Sequence, residues 1–246
     1  KNIAVLLNAL LKQSYPSGQT EIIVIDDHSS DLTASVVQSY PQVRLIQLTE
    51  DALNSYKKKA IEKGIAAANG ELIITTDADC IPGPEWLSSM VSFYEEKKAV
   101  FIAAPVVFSH NNSVLQVFQA LDFLVLQGIT AAAVHSRSMS MCNGANMAYE
   151  KKAFYAVDGF KGIDQIASGD DMLLMHKIRK QYPNGVYYLK SKAAIMTTAP
   201  MLSWRSFFNQ RIRWASKARS YSDKRIFAVL LLVYLFNLSF AASLIA

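Results

Sequence analysis

Two carboxylates stand one residue apart in the segment TTDADC, where Asp77 and Asp79 follow the mainly apolar segment ELII (residues 71–74). Side chains alternate between the two faces of a strand, so an extended backbone directs both carboxylates to the same side. Like charges on one side repel each other unless a cation lies between them. The spacing therefore indicates either a solvated turn, in which aspartate is common, or a cation site.

A second acidic pair, Asp26 and Asp27, ends another apolar segment, EIIVIDD (residues 21–27). If both segments are strands of one sheet, the two pairs come to the same edge, where four carboxylates require a cation. Mg²⁺ and Mn²⁺ prefer oxygen ligands and often bind one or two carboxylates, with phosphate oxygens and water as the remaining ligands. The two pairs thus favour a divalent metal that holds a phosphorylated substrate.

Strands and helices alternate in the segments that position these acids. Strands are predicted at residues 21–27, 43–48, 71–79 and 100–108, and helices at residues 3–11, after Ser29 or Ser30, at residues 56–68 and from Pro84 onward. This alternation predicts an α/β fold with a mostly parallel sheet and helices on both of its faces. Ligands of such sheets bind beyond the carboxyl ends of the strands, where both acidic pairs lie.

Composition narrows the class of protein. The chain has 246 residues, of which 51% are hydrophobic and 18% charged, and its net charge is +5. These values exclude a disordered chain and fit a folded protein with some membrane character. The scattered basic residues suit an anionic ligand or a membrane surface as well as a nucleic acid. Cys80 and Cys142 lack the spacing of a zinc site or a disulfide framework.

Residues 226–246 contain no charged side chain. About 20 apolar residues suffice to cross a bilayer, so this stretch predicts a transmembrane helix, with a buried core helix as the alternative. Basic residues precede the stretch, namely Lys217, Arg219, Lys224 and Arg225. By the positive-inside rule, they place the preceding domain in the cytoplasm, at an inner or plasma membrane.

Residues 114–135 form another apolar stretch, which contains Gln116, Gln119, Asp122 and Gln127. Polar side chains are costly inside a bilayer. We therefore predict a long helix of the domain here, not a membrane span.

Six motifs follow one another along the chain: VIDDHSSD (residues 24–31), TTDADC (75–80), CNGANMAY (142–149), DGF (158–160), SGDDMLL (168–174) and QRIRW (210–214). In this order they resemble the family 2 glycosyltransferases, an inverting superfamily with the GT-A fold that includes cellulose, chitin and hyaluronan synthases. Each motif alone is weak, whereas the series covers residues 3–214 and is specific. The resemblance implies a GT-A fold with a Rossmann-like sheet.

The resemblance implies a donor site built on acids. Asp27 matches the carboxylate that holds the uracil of a donor nucleotide, since a carboxylate accepts the uracil N3 hydrogen. Asp77 and Asp79 match the D-x-D motif, in which Asp79 would coordinate Mg²⁺ or Mn²⁺ on the donor diphosphate and Asp77 would support that metal or the nucleotide sugar. Lys57 matches a family lysine on the uracil side, although the glycine before it is Tyr56 here. The alternative for Lys57 is a solvated helix face.

Asp171 in SGDDMLL matches the catalytic base of the family. An inverting transfer is a direct displacement at the anomeric carbon, so the acceptor hydroxyl loses its proton as it attacks, and a carboxylate can accept that proton. Asp170 stands where the family usually has glutamate and implies a supporting role. Ser168, Asp170 and Asp171 also suit the start of a helix, and the two interpretations are compatible.

QRIRW matches a Q-x-x-R-W element of the membrane-anchored branches. Gln210, Arg213 and Trp214 share a helix face by their spacing. Arg213 would offset charge on the leaving diphosphate, and Trp214 would stack on an acceptor sugar. The alternative is an amphipathic helix at a membrane interface.

Small residues mark the CNGANMAY motif. Gly144 allows the backbone to approach a ligand, and Asn146 is a candidate for binding a sugar hydroxyl. The alternative is an ordinary loop before a helix.

These observations predict a domain organisation and a function. We expect a GT-A catalytic domain at residues 1–222, which lacks the family's first strand in this chain, and a transmembrane helix at residues 223–246. The partners implied are a nucleotide-sugar donor, with a UDP-sugar favoured, a lipid or polysaccharide acceptor, and the membrane. No nucleic-acid partner is expected. Two alternatives are a catalytically inactive, nucleotide-binding membrane scaffold and a nucleotidyltransferase of similar fold.

Overall fold

The computed structural model describes residues 3–50, 55–111, 113–166 and 169–216, together with residues 225, 228, 231–235 and 239. Most of the transmembrane helix predicted at residues 223–246 therefore lies outside the described residues. Within them, the one helix that is long and apolar enough to cross a membrane is Val114–His135.

Helices and strands alternate along the chain, as the sequence predicts. In order they are α1 (Ile3–Leu11), β1 (Ile22–Asp26), α2 (Thr33–Gln38), β2 (Val43–Gln47), α3 (Tyr56–Ala67), β3 (Leu72–Thr75), β4 (Cys80–Pro82), α4 (Trp86–Lys97), β5 (Phe101–Ala103), β6 (Val106–Phe108), α5 (Val114–His135), β7 (Met147–Glu150), α6 (Lys151–Ala156), α7 (Met172–Gln181), β8 (Val186–Tyr188), β9 (Met196–Thr198) and α8 (Trp204–Ser216). A single 3₁₀ turn, Ser17–Gln19, precedes β1. The predicted α/β class is confirmed.

Strand directions are more mixed than the predicted, mostly parallel sheet. The described strands form three sheets, with the orders β1-β2, β3-β7-β5-β8 and β4-β9-β6. The pairs β1-β2, β5-β8 and β6-β9 are parallel, whereas β3-β7, β5-β7 and β4-β9 are antiparallel. The reason is β7, which lies between β3 and β5 and runs opposite to both. Its first residue, Met147, pairs with the last residue of β3, Thr75, so β7 begins at the edge where β3 ends.

The main core lies between the four-stranded sheet β3-β7-β5-β8, called the central sheet below, and α7. Phe101, Met147 and Tyr149 of the sheet are completely buried, as are Leu174 and Ile178 of α7. Burying side chains of this size stabilises a fold by about 1.5–3 kcal/mol each. The core therefore fixes α7 against β7 and sets the position of the residues at the start of that helix.

The predicted strand at residues 100–108 is divided in two. β5 belongs to the central sheet and β6 to the three-stranded sheet β4-β9-β6, with Ala104 and Pro105 between them. Proline lacks the N–H that a central strand position needs, so it favours such a break. The Pro105 carbonyl still accepts a hydrogen bond from the Met196 amide of β9 (3.0 Å).

One face of α5 packs on the domain, as predicted for a helix of the domain. Phe123 is buried against Phe108 of β6, with 4.6 Å between ring centroids. The buried Gln127 accepts a hydrogen bond from the Val106 amide (3.2 Å). Large apolar side chains on the helix remain exposed, namely Val114, Leu121, Leu124 and Val125.

The chain divides into two compact units, Lys1–Pro200 and Met201–Ala246. Helix α8 belongs to the second unit, although the sequence assigns residues 1–222 to one domain. Within α8, the Arg211 guanidinium lies over the rings of Phe207 (4.9 Å) and Trp214 (4.5 Å). Both cation–π contacts join side chains of α8 to one another, and such contacts stabilise the helix.

Candidate active site

Asp77 and Asp79 lie in a turn immediately after β3, so the argument from strand alternation is wrong. The strand ends at Thr75, and the Cys80 amide donates to the Asp77 carbonyl (3.1 Å), which closes the turn. Asp79 is exposed, and its carboxylate lies 3.8 Å from the Cys80 thiol. The turn nevertheless leaves both carboxylates at the carboxyl end of the strand, where a ligand is expected.

Lys57 connects the D-x-D turn with the acidic motif before α7. Its ammonium lies 2.8 Å from Asp77 Oδ1 and 3.3 Å from Asp170 Oδ2. About half of the lysine side chain is exposed, but protein atoms crowd the ammonium. This crowding alone would lower the pKa of Lys57, whereas the carboxylates of Asp170 and Asp77 outweigh it and raise the pKa. Lys57 is therefore a charged member of the site and not a solvated helix face.

Gly144 brings the loop before β7 against the same residues. Its amide donates to Asp171 Oδ2 (3.2 Å), and its carbonyl accepts from the Thr75 hydroxyl (3.4 Å). A Cβ at this position would lie 3.3 Å from Asp170 Oδ2 and 3.5 Å from the Lys57 ammonium. A side chain would crowd the Asp170 carboxylate, so glycine suits this close approach.

A second glycine sets the entry to α7. Gly169 has a φ of +83°, and a Cβ there would lie 2.9 Å from Leu173 Cδ1. Glycine adopts this backbone conformation without strain. The following residues, Asp170 and Asp171, are thereby turned towards the Gly144 loop.

Asp171 is both the N-cap of α7 and a member of the site. Its Oδ1 accepts from the Met172 amide (2.7 Å), while Oδ2 accepts from Gly144. Asp171 is partly exposed, whereas Asp170 is only 5% exposed. The cap interpretation is therefore confirmed for Asp171, and its role as a base stays a prediction. Ser168, the other predicted cap residue, lies outside the described residues.

Asp26 and Asp27 do not act as a pair. Asp26 is buried, and its carboxylate accepts from the Ser29 amide (3.3 Å), so it stabilises the turn after β1. Asp27 is exposed and lies 2.9 Å from the His28 ring nitrogen. The His28 ring contacts the Tyr56 ring edge-on at 5.7 Å. The His28 ring thus joins the turn after β1 to Tyr56, the residue before Lys57.

The predicted cluster of four carboxylates is therefore wrong. Among the described residues, no three His, Cys, Asp or Glu side chains are grouped closely enough to hold a metal ion by themselves. Asp26 is engaged in its turn and Asp77 in its ion pair with Lys57. A metal at this edge would thus depend on ligands from a substrate and from water.

The predicted role of Asn146 in binding a sugar does not fit its position. Asn146 is completely buried, and its amide nitrogen donates to the carbonyls of Pro105 (2.7 Å) and Ala194 (2.8 Å). Its amide oxygen accepts from the Trp86 indole (2.9 Å). Both donors are used and the group has no access to a ligand. Asn146 joins three segments of the interior.

The QRIRW residues belong to the second unit and are described within α8. Arg213 is exposed, and Gln210 and Trp214 are partly exposed. The Arg211 guanidinium covers the Trp214 ring at 4.5 Å, so this ring already has one cation–π partner. The proposed contacts of Gln210, Arg213 and Trp214 with an acceptor or diphosphate stay predictions.

The sequence did not reveal that two lysines, Lys58 and Lys177, hold the fold together through hydrogen bonds to backbone carbonyls. Lys58 is only 2% exposed, and its ammonium donates to the carbonyls of Ile163 (2.7 Å) and Ile166. Lys177 of α7 donates to the carbonyls of Gly159 (2.6 Å) and Lys161. Both lysines hold the segment that leads into Gly169. Lys57 and Lys58 are adjacent in α3, and the sequence alone does not show that Lys57 lies on an exposed face of the helix and Lys58 on a buried one.

The two cysteines flank the acidic residues as protonated thiols. Burial and the nearby carboxylates of Asp79 and Asp77 raise the pKa of Cys80 to about 12. Burial also raises the pKa of Cys142 well above its usual range, with Asp171 and Asp170 adding to the effect. Both thiols are therefore protonated near neutral pH.

A shallow groove lies at the opposite end of β3, around Gly70. Glu150, one of its two carboxylates, accepts from the Tyr94 hydroxyl (3.1 Å) and pairs with Lys152 (3.2 Å). The groove is separate from the D-x-D edge.

The fold and the acidic edge define the GT-A class of nucleotide-binding folds. The chain is similar to a mannosyltransferase from Pyrobaculum calidifontis solved with GDP-mannose and Mn²⁺, with a TM-score of 0.65 and 20% identity, covering 91% of this chain and 62% of that one. It is also similar to S. aureus TarS 1–349 in complex with UDP-GlcNAc, with a TM-score of 0.57 and 18% identity, covering 90% of this chain and 64% of that one. At these identities, the likeness establishes the fold.

The family follows from the sequence. The profile described as "Glycosyl transferase family 2" matches residues 1–157, and the chain belongs to this family. The chain is similar to YdaM, a probable glycosyltransferase from Bacillus subtilis (strain 168), with 24% identity over an alignment of 221 residues that covers 85% of this chain. This chain spans about half the length of that relative, since the match covers 50% of it.

Proposed function

We propose that this chain is the catalytic part of a membrane-associated, inverting glycosyltransferase. It transfers a sugar from a nucleotide-sugar, with a UDP-sugar as the favoured donor, to a lipid or polysaccharide acceptor. The observation that carries the proposal is the meeting of two motifs at Gly144. There, the base candidate Asp171 accepts from the glycine amide, and Lys57 joins Asp77 to Asp170.

The donor is proposed to bind at the carboxyl end of β3. Asp27 would accept the N3 hydrogen of uracil, and Lys57 would face the anionic diphosphate. The oxygen donors of Asp77 and Asp79 fit Mg²⁺ or Mn²⁺, which readily use one or two carboxylates. A bound metal would offset the charge of the diphosphate as it leaves. The mannosyltransferase neighbour was solved with Mn²⁺, which supports this part of the proposal.

The acceptor hydroxyl is proposed to approach Asp171. As its oxygen bonds to the anomeric carbon, its proton passes to the Asp171 carboxylate, and the bond from that carbon to the diphosphate oxygen breaks. The electron pair leaves with the nucleoside diphosphate. Asp170 is buried and paired with Lys57, so Asp171 is the better exposed of the two acids.

Membrane association is proposed from an apolar segment of the sequence and from exposed apolar side chains of α5. Residues 226–246 are uncharged, and basic residues precede them. The outer face of α5 also exposes Leu121, Leu124 and Val125. A catalytic domain on the cytoplasmic side would meet a lipid or growing glycan acceptor at this membrane. We propose no nucleic-acid partner for this chain.

The experiment is a donor panel on the purified full-length protein in detergent. Release of the nucleotide is measured from UDP- and GDP-sugars with Mn²⁺ or Mg²⁺, in the presence of a lipid extract as acceptor source. We expect metal-dependent release from one donor, abolished by EDTA and by Asp79→Ala. The anomeric configuration of the product, read by NMR, is expected to be inverted.

The outcome separates the proposal from its rivals. Metal-dependent nucleotide binding without any release supports an inactive scaffold. Pyrophosphate formation from a sugar phosphate and a nucleoside triphosphate supports a nucleotidyltransferase. Retention of the anomeric configuration would contradict the direct displacement with Asp171 as base.

A further inference from the structure

Lys57 and the proposed metal compete for the same carboxylate. The lysine ammonium lies 2.8 Å from Asp77 Oδ1, within the turn that carries the D-x-D motif. A divalent cation bound to Asp77 at about 2.1 Å would meet this ammonium at close range, and two cations there repel each other. The ion pair therefore opposes metal binding at Asp77.

We propose that Lys57 makes metal binding at Asp77 and Asp79 conditional on the nucleotide diphosphate. Without a nucleotide, the ammonium neutralises Asp77 and keeps the metal affinity low. With a nucleotide, the diphosphate attracts the ammonium and gives the metal its remaining ligands. This inference rests on the proposed function, because it assigns the order of binding at the same site.

Asp170 gives the ammonium an alternative partner. Its Oδ2 lies 3.3 Å from Lys57 Nζ, and Asp170 is 5% exposed. This oxygen has no hydrogen bond among the described residues, so the ammonium is its main stabilising contact. A buried carboxylate without its cation is costly, which keeps the ammonium in the site when Asp77 is released.

The exchange requires little movement of the backbone. Lys57 lies in the first turn of α3, and the neighbouring Lys58 is fixed by the carbonyls of Ile163 and Ile166. The lysine side chain has four rotatable carbons and reaches Asp77 and Asp170 from one backbone position. The switch is thus a change of partner by one ammonium.

Thermodynamic linkage makes the device reciprocal. If the nucleotide raises the metal affinity by some factor, the metal raises the nucleotide affinity by the same factor. Couplings between sites commonly amount to about 5- to 150-fold. Free metal would then not occupy the site alone, and the nucleotide and metal would bind together.

The experiment measures Mn²⁺ binding directly, by the loss of the electron paramagnetic resonance signal of free Mn²⁺. The full-length protein is compared with Lys57→Met, in the absence and in the presence of UDP or GDP. We expect Lys57→Met to bind Mn²⁺ alone at least about fivefold more tightly than the unmodified protein. We also expect the gain in Mn²⁺ affinity on adding nucleotide to be smaller in this variant.

Two control variants separate the specific contact from charge and folding effects. Lys59→Met removes one positive charge from the same helix, at a residue without an ion pair to any described side chain, and is expected to bind Mn²⁺ like the unmodified protein. Lys57→Arg keeps a cation beside Asp77 and is expected to preserve the nucleotide dependence. Circular dichroism and thermal unfolding check that each variant is folded.

Equal affinity of Lys57→Met and the unmodified protein for Mn²⁺ alone would overturn the inference. An equal gain in Lys59→Met would do the same, because it would assign the effect to net charge. Neither result depends on transfer activity. A failure of the proposed function would appear instead as the absence of any released nucleotide in the donor panel, so the two failures are distinguishable.

Discussion

The carboxylates of Asp170 and Asp171 are adjacent in the chain but have different partners. Asp170 is buried and lies 3.3 Å from the Lys57 ammonium, whereas Asp171 is partly exposed and accepts from the Gly144 and Met172 amides. Asp170 is therefore in direct ion-pair contact with a cation, whereas Asp171 accepts hydrogen bonds from two backbone amides. This difference assigns the proton-accepting role to Asp171 within the proposed function.

Asp171→Asn is expected to lower the turnover number by about 10²- to 10⁴-fold, because an amide cannot accept the acceptor's proton. The asparagine oxygen can still cap α7, so folding should be retained. Steady-state kinetics measure the turnover number, and calorimetry measures nucleotide affinity, which should change little.

Asp31→Asn is the matched control for this charge change. Asp31 accepts from the Thr33 amide (2.9 Å) at the start of α2, and asparagine can do the same. Its turnover number is expected to equal that of the unmodified protein. Full turnover in Asp171→Asn would remove Asp171 from the role of base.

Lys58→Met is expected to lower the free energy of unfolding by about 1–3 kcal/mol. The substitution leaves the buried carbonyls of Ile163 and Ile166 without their charged donor. Urea unfolding measures the change, and hydrogen exchange should show faster opening of residues 159–166.

Lys59→Met again serves as the comparison, since surface changes usually stay within about 0.5 kcal/mol. Equal stability of the two variants would show that the Lys58 contacts contribute nothing to the fold.

Asn146→Ala is expected to destabilise the protein by about 3 kcal/mol. It removes the hydrogen bonds to the Pro105 and Ala194 carbonyls and leaves the Trp86 indole unpaired. Chemical denaturation measures this loss. Asn8→Ala, on the exposed face of α1, is expected to change stability by less than about 0.5 kcal/mol. Unchanged stability in Asn146→Ala together with a raised acceptor KM would restore the sugar-binding role.

The Cys80 thiol predicts a loss of stability at high pH. Its pKa is about 12 in the folded chain and about 8.5 in an unfolded one, so the unfolded chain binds fewer protons between these values. The contribution of Cys80 to stability is therefore present below pH 8.5 and decreases as the pH rises towards 12. Between pH 8 and pH 10 the decrease is expected to be about 2 kcal/mol.

The measurement is the difference in unfolding free energy between the unmodified protein and Cys80→Ser at the two pH values. Other titrating groups are common to both proteins and cancel in this difference. A difference that stays constant with pH would contradict the raised pKa.

The sequence predicted the elements well where hydrophobic patterns were long. The bounds of α1 agree with residues 3–11, and α3 and β2 end one residue before their predicted ends. The strand β7 was missed, because three of its four residues, Met147–Tyr149, lie within the CNGANMAY motif, for which no strand was predicted. Only its pairing with β3 and β5 reveals it, and such pairing is a tertiary property.

The candidate site was predicted in part. The meeting of Lys57, Asp77 and Asp171 around Gly144 agrees with the residues selected from the motifs. Asn146 was misassigned, because the sequence does not distinguish an amide that faces a ligand from one that joins three buried segments. The opposite environments of Lys57 and Lys58 likewise depend on which side of α3 meets the protein.

Gly144 uses both of its backbone polar groups at the site. Its amide donates to Asp171, the proposed base, and its carbonyl accepts from Thr75, the last residue of the strand that leads to the D-x-D turn. A single peptide segment thus sets the spacing between the proposed donor and acceptor sides. Under the proposed function, we expect changes in this loop to alter donor and acceptor preference together.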